Sequence, residues 1–200
     1  MPTLQAIIET MNNWAPAETA ARWDNVGLQI GDPDSKIQRV LIALEVDKDV
    51  LSEIQTSDYD LLITHHPLFF SPIKTLDFRY ETGKIVKAFI ESKTQLFCAH
   101  TNLDVAKDGV NDTLVKKYGL DPRKGQALAP DGFGAYFELD APQAIQDFLN
   151  IMPHRLAGDT RKETVSRIAF CAGSGKSMIQ ECIQRKVDLF ITGEAGYHDE

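Results

Sequence analysis

Histidines 65 and 66 stand side by side in the stretch Asp60-Leu-Leu-Ile-Thr-His-His-Pro67. Imidazole is the commonest protein metal ligand, and it exchanges protons readily near neutral pH. A second run, His100-Thr-Asn-Leu-Asp104, sets an imidazole and a carboxylate four residues apart. Together His65, His66, His100 and Asp104 offer nitrogen and oxygen donors that suit Zn²⁺, Mn²⁺, Fe²⁺, Co²⁺ or Ni²⁺. A lone histidine would more simply cap a loop or bind water. Three of the chain's five histidines, grouped at two strand ends, point instead to a site. His154, in Met-Pro-His-Arg, has no such company and reads as a surface residue.

Other polar clusters are more ambiguous. Gly193-Glu194-Ala-Gly-Tyr-His198 follows another apolar run, and Glu194 there could be a ligand, a general base or the partner of an imidazole. His198 would share a helical face with Glu194 if a helix began at that point; both fit a loop equally well. His100 and Glu194 are the candidate proton carriers. Gly173-Ser-Gly-Lys-Ser177 invites a nucleotide reading. A phosphate-binding loop, however, needs glycine five residues before Gly175, and that position is Phe170. A plain strand-to-helix turn is the expectation, with an anion-binding role as the weaker rival. Trp23-Asp24-Asn25-Val26-Gly27-Leu28 either borders the site or forms a structural turn.

The elements that must position these groups follow from apolar patterning. Leu61, Leu62 and Ile63 form the short continuous run of a strand covered on both faces, and Pro67 cannot continue the ladder. In α/β proteins ligands bind beyond the carboxyl ends of such strands. The segment Arg39–Thr64 also matches Arg167–Thr192 without gaps when slid by 128 residues. Arg39 then pairs with Arg167, Lys48 with Lys176, Glu53 with Glu181, Asp60 with Asp188 and Thr64 with Thr192. Each copy reads as strand, turn, amphipathic helix and strand, so its two strands should be parallel with a right-handed crossover. The expected fold class is α/β, with two similar lobes built from a duplicated βαβ unit, spanning 1–125 and 126–200. The Pro/Gly-rich stretch at 121–132 marks the boundary. Helices are expected over 4–11, 78–92 and 110–118, the last closed by Gly119, and strands over 95–99 and 134–139. Pro142 suits the first turn of a helix whose apolar face is Ile145, Phe148 and Leu149.

Composition bounds the function. Hydrophobic content of 43% and charged content of 25% are those of a globular protein. A net charge of −8 with no basic run argues against a nucleic-acid footprint. Cys98, Cys171 and Cys182 lack metal-type spacing and read as buried free thiols of a reducing compartment. The amino terminus lacks the pattern of a secretory signal, and no run approaches the ~18 apolar residues of a membrane span. A cytoplasmic protein with no membrane partner is expected.

Four motifs carry a family resemblance: Trp23-Asp-Asn-Val-Gly-Leu-Gln29, Ile63-Thr-His-His-Pro67, His100-Thr-Asn-Leu-Asp-Val105 with Gly109-Val-Asn111, and Ile191-Thr-Gly-Glu194. In this order they resemble the Nif-three-like family, whose members are often named GTP cyclohydrolase 1 type 2. The resemblance implies two similar α/β lobes with a dinuclear divalent-metal site between them, in a toroidal homo-hexamer. It implies that His65 and His66 bind different metals and that Asp104 is a metal ligand. The family's other ligands lie in a C-terminal Gly-His…Glu motif beyond Glu200, so the chain is expected to be shorter than its relatives by on the order of fifty residues, a fraction of a normal domain. The implied activity is metal-dependent hydrolysis of a small molecule, with GTP suggested only by the family label. The alternative is a non-catalytic metal-binding or scaffold protein.

Overall fold

The computed structural model describes residues 1–130, 132–158 and 161–195. The chain divides into two compact units, Met1–Leu103 and Asp104–Glu200.

The first unit is built on a four-stranded sheet of order β1-β4-β3-β2. Strands β2 (Val40–Ala43), β3 (Leu61–Thr64) and β4 (Gln95–Cys98) run parallel, and β1 (Gly27–Ile30) borders β4 antiparallel. Helix α2 (Lys48–Thr56) makes the crossover from β2 to β3; the Asp47 carboxylate caps it by accepting the Val50 N–H at 2.8 Å. Leu61 and Leu62 are both fully buried, although a strand points successive side chains to opposite faces. Leu61 packs with Leu4, Ile37 and Phe97 on the face covered by α1 (Leu4–Trp14). Leu62 packs with Ile54, Phe89 and Leu96 on the face covered by α2 and α3 (Glu81–Ser92). The continuous apolar run therefore has its reason in two covered faces. Helix α3 starts three residues later than the pattern predicted, because the 77–78 backbone lies across its first turn. A Cβ at Gly83 would stand 2.1 Å from the Asp77 carbonyl oxygen.

The second unit has the order β5-β6-β7-β8: β5 (Gln126–Ala127), β6 (Ala135–Ala144), β7 (Thr164–Ser174) and β8 (Leu189–Glu194). Its first three strands are antiparallel neighbours, and only β7 and β8, joined through α7 (Ile179–Gln184), are parallel. Here the duplication is visible in the hydrogen bonding itself. Val40 faces Leu61 and Ala43 faces Thr64 in one copy; Ile168 faces Leu189 and Cys171 faces Thr192 in the other, each residue displaced by 128. The shared aspartates do the same work. Asp60 Oδ2 accepts the N–H groups of Gln38 and Arg39 at 2.7 and 2.8 Å, and Asp188 Oδ2 accepts those of Ser166 and Arg167 at 2.8 Å each. What differs is the surroundings: a parallel strand extends the first copy, an antiparallel one the second.

Two further expectations change. The division falls at Leu103/Asp104, ahead of the Pro/Gly-rich stretch, because α5 (Val110–Lys117) buries Val115 among Phe137, Phe148, Val165, Ile168 and Phe170 of the second unit. Pro142 is not in a helical turn; it lies in β6, where the pairing with β7 slips between Glu138 and Gln143. A residue without an N–H is tolerated in a strand at such an irregularity. The helix with Ile145, Phe148 and Leu149 follows as α6 (Ile145–Leu149). Among the described residues no helix is long and apolar enough to cross a membrane.

Candidate metal centre

Strands β3 and β4 are parallel neighbours whose last residues, Thr64 and Cys98, face each other. Whatever follows them emerges at the same sheet edge. His65 and His66 follow β3 directly, and His100 follows β4 by two residues, at the start of the short helix α4 (Thr101–Val105). Parallel topology thus turns two distant motifs into one cluster. The ring centroids of the three imidazoles lie 5.0–5.7 Å apart, and one ligating atom from each can be chosen so that all fall within 4.8 Å of one another.

The hydrogen bonds behind the rings decide which atom is offered. His65 Nδ1 lies 3.0 Å from the Ala99 carbonyl oxygen, His66 Nδ1 3.1 Å from Glu45 Oε2, and His100 Nδ1 3.0 Å from both carboxylate oxygens of Asp24. Carbonyl and carboxylate oxygens only accept, so in each ring this network assigns the proton to Nδ1 and the lone pair to Nε2. Oxygen acceptors behind every ring are the usual backing of metal-ligating histidines. The residues fit a divalent cation with nitrogen affinity. Burial pushes the pKa of His65 down, and the neighbouring His100 and His66 add to this against the hydrogen bond with Ala99. The ring is thereby held in the neutral form that ligation needs.

Asp24 is the best-anchored group here. Its side chain is fully buried and accepts from His100, from the N–H and hydroxyl of Thr101, and from the Asn25 N–H. Burial alone would raise its pKa, but these donors outweigh it and hold the carboxyl below its ordinary value of 3.8. The Thr101 hydroxyl in turn accepts the Ala21 N–H at 2.9 Å.

The motif 23–29 borders the cluster through four of its residues. Asp24 backs His100. The Asn25 amide donates to the Phe69 carbonyl, and Gln29 Oε1 accepts the N–H groups of Leu68 and Phe69 at 2.8 and 3.2 Å. Trp23 stacks on Phe70. None of these partners can be read from local spacing; a dense run of side-chain amides and carboxylate beside an indole was the only signal.

The other predicted residues are placed as follows. Asp104 is buried on α4, four residues beyond His100, and is not a member of the 4.8 Å group. Glu194 is the exposed last residue of β8, in the second unit, on a strand rather than a helix. Its carbonyl accepts the Gly175 N–H at 3.3 Å; Gly173 and Ser174 are the last residues of β7, and only Gly175 leads into the 3₁₀ turn that follows, so the segment is tied into its own sheet. His154 is exposed, with Nδ1 3.2 Å from the Met152 carbonyl. His198 lies outside the described residues. All three cysteines are buried and outside any disulfide; burial lifts the Cys98 thiol to about 12, and its Sγ donates to the His65 carbonyl at 3.1 Å.

The chain is 32% identical over 206 residues to the GTP cyclohydrolase 1 type 2 homolog of Clostridium perfringens, a match spanning 98% of this chain and 78% of that protein. It is 28% identical to NIF3-like protein 1 of Drosophila melanogaster, over 98% of this chain and 70% of the relative. Among solved structures, reduced HcgD from Methanocaldococcus jannaschii matches with a TM-score of 0.85 at 29% identity, over 99% of this chain and 81% of that one. A Staphylococcus aureus hypothetical protein matches with a TM-score of 0.82 at 28% identity, over 98% and 80%. The model of the Duf34/NIF3 (NGG1p interacting factor 3) family matches residues 2–200, and the chain belongs to that family.

Proposed function

We propose that this chain binds divalent metal ions through His65, His66 and His100, with Asp104 as a further ligand, and that it is a metal-dependent hydrolase of small molecules. The observation that carries the reading is the shared arrangement of the imidazoles: three rings converge, and each has Nδ1 turned to an oxygen acceptor. A structural cluster would not need three such backings. A cation held there supplies Lewis-acid activation of water and of a substrate oxygen. The chain's own groups set up that chemistry. The Ala99 carbonyl, Glu45 and Asp24 orient the rings, and Asp24 keeps Nε2 of His100 available either to close the ligand set or to take a proton. Glu194 is the second candidate proton carrier. By the family resemblance the site takes two ions and the chain assembles as a homo-hexamer. Buried thiols outside any disulfide support a cytoplasmic setting.

Metal analysis of the purified protein, paired with turnover on a panel of nucleotides and phosphoesters, tests the reading. His65→Ala and His66→Ala are expected to lose stoichiometric metal and activity together. His100→Ala separates its two roles: lost metal makes it a ligand, retained metal with lost turnover makes it the proton carrier. Turnover that survives His65→Ala, His66→Ala and Asp104→Ala would overturn the hydrolase assignment, and stoichiometric metal without any turnover would favour the non-catalytic alternative. Light scattering tests the hexamer.

A further inference from the structure

Beside the imidazoles stand two aromatic rings for which metal binding has no use. Trp23 and Phe70 stack with 12° between their planes and 6.0 Å between centroids. Each also meets the His100 ring at a steep angle, at 6.1 and 5.8 Å. Both remain open to solvent, Trp23 at 62% and Phe70 at 53% exposure. A scattered exposed aromatic needs no explanation. This pair is different because its backbone is fixed on both sides while its rings are left uncovered. Asp24 locks the residue after Trp23; Asn25 and Gln29 pin the 68–69 backbone just before Phe70. Rings that stack on each other over pinned backbone, stay wet and meet His100 are placed to receive something flat.

We propose that Trp23 and Phe70 form a stacking platform for a planar heteroaromatic ring of the small-molecule substrate, seated next to His100. Near-parallel rings offer a flat π-face, which an aliphatic chain or a peptide strand would use poorly. The polar imidazole cluster alongside suits a ring that carries polar atoms on its edge. The platform grips the face of the ring, and every nucleobase has such a face, so purines of different edge pattern should bind nearly alike. The reacting role of the imidazoles rests on the reading above; the stacking does not.

The test uses metal-loaded protein carrying Trp14→Phe, so that Trp23 is the sole indole, with its fluorescence followed against guanosine, adenosine and ribose 5-phosphate. Saturable quenching by both nucleosides, with dissociation constants within about threefold of each other and none with ribose 5-phosphate, is expected from face stacking. In the otherwise unaltered protein, calorimetry should show guanosine binding weakened about tenfold or more by Trp23→Ala and by Phe70→Ala, the loss of one base–aromatic stack. Trp23→Phe should restore most of it, and metal content should not change in any of these variants. Unchanged affinity in Trp23→Ala, equal binding of ribose 5-phosphate, or no nucleoside binding at millimolar concentration would each overturn the platform while leaving the metal assignment intact. Conversely, nucleoside binding that needs Trp23 in a protein that takes up no metal would leave the platform and remove the metal centre.

Discussion

His100 Nδ1 sits 3.0 Å from each of the two carboxylate oxygens of Asp24, a side chain with no solvent exposure. Seventy-six residues separate them in sequence. The pair is a carboxylate–histidine couple whose ring packs against two more imidazoles. Replacing Asp24 with Asn removes the charge while keeping the shape. The amide can flip its NH₂ toward Nδ1, which would reverse the tautomer and turn a protonated Nε2 toward the cluster. Metal affinity is expected to fall about 10- to 100-fold, the usual effect of losing such a backing group. A competition titration with a chromophoric chelator measures it, and ¹⁵N spectra of the imidazoles report the tautomer independently of any activity.

Asp188 predicts a pH dependence of stability. Burial works to raise its pKa, but Lys162 and the N–H groups of Ser166 and Arg167 more than offset this and hold it below 3.8. A carboxyl with a lowered folded-state pKa contributes stability that is fully present above its unfolded value and fades as pH falls through the folded one. Asp188→Ala should cost about 1–3 kcal/mol at pH 7, the price of two backbone donors losing their acceptor. The gap between wild type and variant should narrow only below about pH 4. Urea denaturation at pH 7 and at pH 3 measures both, and a gap that is constant between those values would refute the assignment.

Helix α3 predicts two substitutions of opposite sign. Gly-to-Ala changes inside helices usually stabilise, yet Gly83→Ala would drive a methyl to within 2.1 Å of the Asp77 carbonyl. A loss of about 1–3 kcal/mol is expected from overpacking. At the other end of the helix Lys93 adopts φ +56°, a left-handed C-cap. Lys93→Gly relieves that conformation and should gain about 0.5 kcal/mol, after the larger backbone entropy of glycine is set against it. Thermal melts of the two variants should move in opposite directions.

The thiols give a chemical check on the core. Burial lifts Cys98 to about 12 and Cys182 to about 11. At pH 8 both should resist alkylation in the native protein and react fully in denaturant, as intact-mass analysis will show. Rapid native labelling of Cys98 would mean that the sheet end carrying His65 and His100 opens readily.

Some of this molecule was legible from the chain alone. The run Leu61-Leu62-Ile63 announced a strand covered on both faces, and the 128-residue echo announced a second βαβ unit. The structure keeps that echo down to the cross-strand register and the Asp60 and Asp188 carboxylates. Pro142 misled because a proline is equally at home in a first helical turn and at a strand irregularity, and only the pairing of β6 with β7 distinguishes them. The lobe boundary misled because turn residues mark where a chain bends, while a core residue such as Val115 decides which side it folds with.

The sequence by itself determined which groups are able to do chemistry and where the strands that carry them end. These are properties of residue type and of a two- or 3.6-residue period, so they are written locally. Only the tertiary structure decided that His100 joins His65 and His66, that Asp24 stands behind His100, and that Trp23 lies on Phe70. Those pairings depend on which strands became neighbours. That choice is made by burial of apolar surface across the whole sheet, and no short stretch of the chain encodes it.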